Sequence, residues 1–77
     1  MDPLILLFSE CLQVSAETLN DDSSPDTVSQ WDSLAAMALV ASIEEQFSVT
    51  LSTREIMSMR TIGIARNVLR KKGVTGL

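Results

Sequence analysis

The stretch SQWDSLAAMALVASIEEQF, residues 29–47, decides how this chain is read. A polar entry leads into an uninterrupted run of good helix formers, and the pattern predicts a helix over about residues 33–47. At 100° per residue, Ala36, Leu39, Val40, Ile43 and Phe47 gather on one side, which suffices to anchor a helix in a small core. Leu34, Met37, Ala38 and Ala41 fall on another side, flanked by Glu44 and Glu45, where a surface helix shows mainly polar residues. Two explanations fit this second face. The helix is central and covered nearly all round by its neighbours, or the face is an apolar strip, rimmed by acids, that docks a partner. A chain of 77 residues cannot enclose every face of its helices, and the acidic rim favours docking, with Met37 suited to adaptable contact.

Outward from this helix the signals are also helical. Asp2 and Pro3 form an N-cap and first-turn pair, after which Leu4, Leu7, Phe8, Cys11 and Leu12 recur at helical spacing, predicting a first helix over about residues 3–13. SAETLNDDSSPDTVSQ, residues 15–30, reads as a long surface loop pinned by Leu19, Val28 and Trp31. Ser52 and Glu55 have capping-box spacing and support a short third helix to about Met59. Thr61 offers the N-cap of a last helix with Ile62, Ala65, Val68 and Leu69 on one face; Lys71, Lys72 and Gly73 close it. The basic residues there complement the helix dipole, a structural reading that weighs at least as much as a phosphate-binding role for the RKK run. The expected fold is all-α, a small four-helix bundle of three main helices and a short third one, forming a single domain over residues 1–77. The initial Met and the lack of linkers are those expected of a free-standing protein.

Composition removes most chemistries. Histidine is absent and Cys11 is the only cysteine, so no internal disulfide, zinc-finger spacing or histidine-based triad can be assembled from this chain. The helical register of Cys11 reads it as a buried small hydrophobe. No nucleophile–base pair, Gly-rich phosphate loop or metal-ligand cluster is visible. The acid-rich NDDSSPD segment lacks the glycine of an EF-hand loop and contains Pro25, so it reads as a solvated loop. The N-terminal MDPLILLF has neither the basic region of a signal peptide nor the length of a membrane span, which makes the cytoplasm the expected compartment. Residues 1–46 carry nine acids and no Lys or Arg; the remainder carries six basic residues and one acid, for a net charge of −4. The acidic part disfavours nucleic acid and favours a basic protein partner by steering.

Ser33 stands at the head of the second helix. A serine there ordinarily caps free N–H groups, but Asp32 competes for that position. If Asp32 caps, the Ser33 hydroxyl lies free in the first turn, at the positive end of a dipole that favours a phosphate. With no histidine to activate it, an outside enzyme would have to supply both base and phosphate donor.

WDSL followed by AAMALVASIEEQF resembles the acyl carrier proteins, small four-helix carriers of fatty-acid, polyketide and related pathways. The resemblance covers nearly the whole chain: Asp32-Ser33-Leu34, IEEQF at residues 43–47, Val49-Thr50-Leu51 before the short helix, and Thr61-Ile62 opening the last. It implies that Ser33, with Asp32 beside it, is the attachment site of 4′-phosphopantetheine taken from coenzyme A by a phosphopantetheinyl transferase. The thiol of that arm would carry acyl groups as thioesters to acyl-transferring, ligating or condensing enzymes, with a monomeric carrier meeting them through Leu34, Met37, Ala41, Glu44 and Glu45. The carrier itself would be no enzyme. Departures are visible: Ala35 and Ala38 stand where fatty-acid-synthesis members have acids, Arg54, Met57 and Arg60 lie in and after the short helix, and Trp31 looks more like carriers of specialised pathways. Each exposed ion pair lost to a basic partner costs roughly a few tenths to 1 kcal/mol, so a dedicated synthase, ligase or acyltransferase is the expected partner. Two other readings stay open: a peptidyl or aminoacyl carrier loaded by an adenylating enzyme, and an unmodified helical interaction module in which Ser33 only caps.

Overall fold

The computed structural model describes residues 2–77, all of the chain but Met1. In chain order it contains α1 (Pro3–Leu12), a single 3₁₀ turn (Ala16–Thr18), α2 (Ser33–Phe47), α3 (Thr53–Ser58) and α4 (Ile62–Lys71), with no strand among the described residues. This is the small all-α bundle expected from the sequence, with the short third helix and the long first connection in place.

Each helix starts where a side chain can satisfy its free N–H groups. Asp2 accepts from the N–H groups of Leu4 and Ile5, Asp32 from Ala35, and Thr61 from Ile64. At α3 the capping box is complete: Ser52 Oγ accepts from Glu55 N–H, and the Glu55 carboxylate accepts from Ser52 N–H. Both α1 and α2 end on a left-handed residue that is not glycine, Gln13 at φ 57° and Ser48 at φ 54°. In each case the left-handed residue and the one after it, Gln13 with Val14 and Ser48 with Val49, donate their backbone N–H groups to the Ser9 and Glu44 carbonyls respectively, and these hydrogen bonds offset the steric cost of a Cβ in that region.

The core is built from α1 (Leu4, Leu7, Phe8, Leu12), α2 (Leu39, Ile43) and α4 (Ile62, Ala65, Leu69), closed by Leu19, Trp31 and Leu51 from the connections. Phe8 and Trp31 meet edge to face at 5.2 Å. The first connection is held at several points. Leu19 and Trp31 are buried and Val28 is half-buried. The loop also supplies acceptors to α4: Ser23 C=O receives the Ile62 N–H, and Asp21 C=O receives the Gly63 N–H at 2.9 Å. A Cβ at Gly63 would stand 3.0 Å from the Asp21 carbonyl oxygen, so this close approach favours glycine.

Arg66 is the feature that periodicity did not reveal. It lies on the buried face of α4, with its guanidinium paired to Asp2 at 2.7 Å and Asp21 at 2.9 Å. Asp2 therefore both caps α1 and joins that helix to α4, while Asp21 binds the first connection to the same cation. The hydrogen bond from Arg66 holds the Asp2 carboxyl below its ordinary value, against the opposing effect of partial burial. Asp21 thus belongs to a clasp within the fold.

Cys11 departs from the expected buried position. It is half-buried, because it lies at the edge of the α1–α2 contact, and its thiol donates to Ser42 Oγ at 3.3 Å. In the RKK run, Lys72 pairs with Glu55 at 2.9 Å and Arg70 donates to the Leu77 carbonyl, so two of these three cations have partners within the chain.

Candidate functional site

The head of α2 stands on a rigid post. Trp31 is buried against Phe8, its backbone N–H donates to the Val28 carbonyl, and the chain leaves this anchor directly into Asp32. Asp32 is extended, with its carboxylate accepting the Ala35 N–H at 2.9 Å and its carbonyl accepting the Ala36 N–H at 2.9 Å. Asp32 is therefore the cap. Ser33 is the first helical residue, its side chain exposed and outside the capping interaction. The N–H groups of Ser33 and Leu34 precede the first intrahelical acceptors and point out of the positive end of a helix of 15 residues.

Two depressions meet here. A shallow one of about 260 Å³ is lined by Pro25, Trp31, Asp32, Ser33 and Ala36. A cleft of about 280 Å³ runs between α2 and α3, walled by Phe8, Leu39, Val40 and Ile43 at depth and by Met37, Ile56 and Met59 nearer the mouth. Trp31 and Ala36 belong to both, so the space around Ser33 adjoins the apolar cleft.

The second face of α2 is open. Leu34 is 80% and Met37 72% exposed, and Ala38, Ala41 and Glu45 are exposed as well. The alternative of a helix covered all round does not occur, because α2 packs chiefly on α1. On the core side Leu39 and Ile43 are buried, whereas Ala36, Val40 and Phe47 are only half-buried. Glu44 is half-buried too, and its carboxylate accepts the Leu51 N–H at 2.8 Å, which fixes the turn into α3.

The cleft itself was not read from the sequence, nor was the contribution of α3 to it. A signal existed: a capped helix of six residues carrying adjacent Ile56 and Met57 cannot bury both. Ile56 is 38% and Met57 73% exposed. Among the described residues, no group of His, Cys, Asp and Glu could hold a metal ion, and no helix is long and apolar enough to cross a membrane.

No curated protein matches this chain. Residues 2–63, comprising α1, the first connection, α2, α3 and the start of α4, match the family model described as the phosphopantetheine attachment site, whose members carry covalently attached 4′-phosphopantetheine and are generally non-catalytic substrates of phosphopantetheinyl transferase. With its bundle and the exposed first turn of α2, the chain belongs to the phosphopantetheine attachment site family and is a phosphopantetheine carrier protein.

Proposed function

We propose that Ser33 is the attachment residue, and that the protein carries acyl intermediates of fatty-acid, polyketide or related specialised biosynthesis and presents them to partner enzymes in the cytoplasm. The observation that carries this reading is the division of labour at the head of α2. Asp32 caps the helix, so the neighbouring Ser33 hydroxyl is exposed in the first turn.

The residues present fit the group. A phosphodiester on Ser33 Oγ would lie beside the Ser33 and Leu34 N–H groups, where the helix dipole favours negative charge. Attachment forms the bond from Ser33 Oγ to phosphorus, breaks the pyrophosphate link of coenzyme A and releases adenosine 3′,5′-bisphosphate. With no histidine in the chain, the base that takes the Ser33 proton comes from the transferase. When bound, the arm supplies a terminal thiol that holds cargo as a thioester. The chain contributes the fixed post of Trp31 and Asp32, from which a tethered group can reach into other proteins.

The cleft supports acyl over aminoacyl cargo. Its walls are Phe8, Leu39, Val40 and Ile43, with no charged side chain in the lining, so a cationic amino group entering it would lose its hydration without gaining a partner. A hydrocarbon chain would gain contact there.

Intact-mass analysis after incubation with coenzyme A and a phosphopantetheinyl transferase of broad specificity tests the attachment. The expected result is a gain of one phosphopantetheine per chain that is absent in Ser33→Ala. No gain, or a gain that survives Ser33→Ala, overturns the assignment. The second outcome would move the arm to another hydroxyl; the first would favour an unmodified interaction module.

A further inference from the structure

We propose that Pro25, Trp31 and Ala36 form a seat for the branched dimethyl segment that follows the phosphate of the arm, so that the first connection holds the arm's root against the bundle. This rests on the reading of Ser33 as the attachment residue, because only an arm leaving that hydroxyl has the segment within reach.

The depression of about 260 Å³ beside Ser33 has walls from two separate parts of the chain. Ser33 and Ala36 belong to α2, where a spacing of three residues places them on the same side. Pro25 and Trp31 come from the first connection. Both of these are fixed. Trp31 is buried and held edge to face by Phe8. Pro25 is exposed, yet the turn around it is closely tied. The Ser24 N–H donates to Thr27 Oγ1, the Asp26 N–H to Ser24 Oγ, and the Thr27 and Val28 N–H groups to the Ser24 carbonyl. A proline ring with its own φ fixed, on a turn held in this way, is a rigid outer wall and no part of the core.

Chemistry selects which part of the arm fits. Asp32 is the one charged residue in the lining, with its carboxylate accepting the Ala35 N–H, and Asp26 follows Pro25 directly. Both acids repel an anion in the depression, so the phosphate itself is better placed at the free N–H groups of the first turn of α2. The next segment of the arm, a methylene and a carbon bearing two methyl groups, is uncharged and apolar, and it matches walls made of two rings and a methyl group. Tethered to a residue of the wall, this segment is present at high effective concentration, so a small gain in contact suffices to seat it. The α2–α3 cleft has neither Ser33 nor Asp32 in its lining, which leaves the depression as the nearer surface for the root of the arm. Pro25, Trp31 and Ala36 are thus positioning residues that set the direction in which the arm leaves the carrier.

The test uses the full chain with the arm attached and no cargo. Isotope-labelled protein is loaded from unlabelled coenzyme A under reducing conditions, so that isotope filtering separates the protons of the arm from those of the chain. Nuclear Overhauser effects from the two arm methyl groups to Pro25, Trp31 and Ala36 are expected. In Pro25→Asp, whose dispersed spectrum reports that it is folded, they should be lost, because the new carboxylate would have to shed water to admit the methyl groups. Arm methyl groups with no contact to the chain, contacts to Met37, Ile56 or Met59 instead, or contacts to Trp31 and Ala36 that persist in Pro25→Asp would each overturn the proposal. Intact mass of the same samples separates the two readings. No gain, or a gain that survives Ser33→Ala, refutes the attachment and the seat together; a gain that depends on Ser33 without the expected contacts refutes the seat alone.

Discussion

Replacing Arg66 by Met keeps most of the apolar stem and removes the charge that joins α1, the first connection and α4. Fully exposed ion pairs contribute about 0.2–1 kcal/mol, whereas breaking a fully buried one costs about 3–5 kcal/mol. Arg66 lies between these limits: its side chain is 9% exposed, while those of Asp2 and Asp21 are 37% and 56% exposed. Water screens the acids more than the cation, so each pair is assigned about 1 kcal/mol and the clasp about 2 kcal/mol. In a domain of this size each kcal/mol moves Tm by about 4–8 °C, so the variant should melt about 8–16 °C lower at neutral pH. The pH dependence gives a second reading. Asp2 is held below its ordinary value of 3.8, chiefly by the hydrogen bond from Arg66. Its contribution is complete above that value and is lost as the pH falls through the lower, folded-state value. The variant no longer has this contribution to lose, so the gap between the two proteins should narrow between about pH 5 and pH 2. Thermal unfolding followed by far-UV circular dichroism measures both. A loss below about 3 °C at neutral pH, or a gap unchanged in acid, would refute the electrostatic account of the clasp.

Asp32→Ala should cost about 1 kcal/mol, because the Ala35 N–H loses its acceptor, and Asp32→Asn should recover most of it in the same melts. Gly63→Ala should destabilise by about 1 kcal/mol, since the new Cβ crowds the Asp21 carbonyl; urea unfolding would show this as a shifted midpoint with an unchanged slope.

Much of the helical frame was legible locally. The caps at Asp2, Ser52 and Thr61 are short-range chemistry, and each begins the helix that its spacing indicated. The core faces of α1 and α4 followed from the 3.6-residue period because those helices present one apolar stripe inward. Arg66 escaped because its buried position depends on Asp2 and Asp21, which lie 64 and 45 residues away in the chain. Periodicity places a residue on a face; it does not show which distant acids meet it there. Cys11 had the right register for burial yet lies at the margin of the α1–α2 contact, beside Ser42.

At the head of α2 the sequence raised two candidates for one cap, and only the folded backbone could choose, since capping requires an oxygen within reach of a particular N–H. Asp32 has that geometry, leaving Ser33 exposed. The order of helices, their caps and the identity of the carrier family were determined by residues close together in the chain, where hydrogen-bonding range and helical period suffice. The open second face of α2, the cleft it shares with α3 and the clasp around Arg66 were decided only by tertiary structure, because each depends on which surfaces the packing leaves uncovered and which distant charges it brings together.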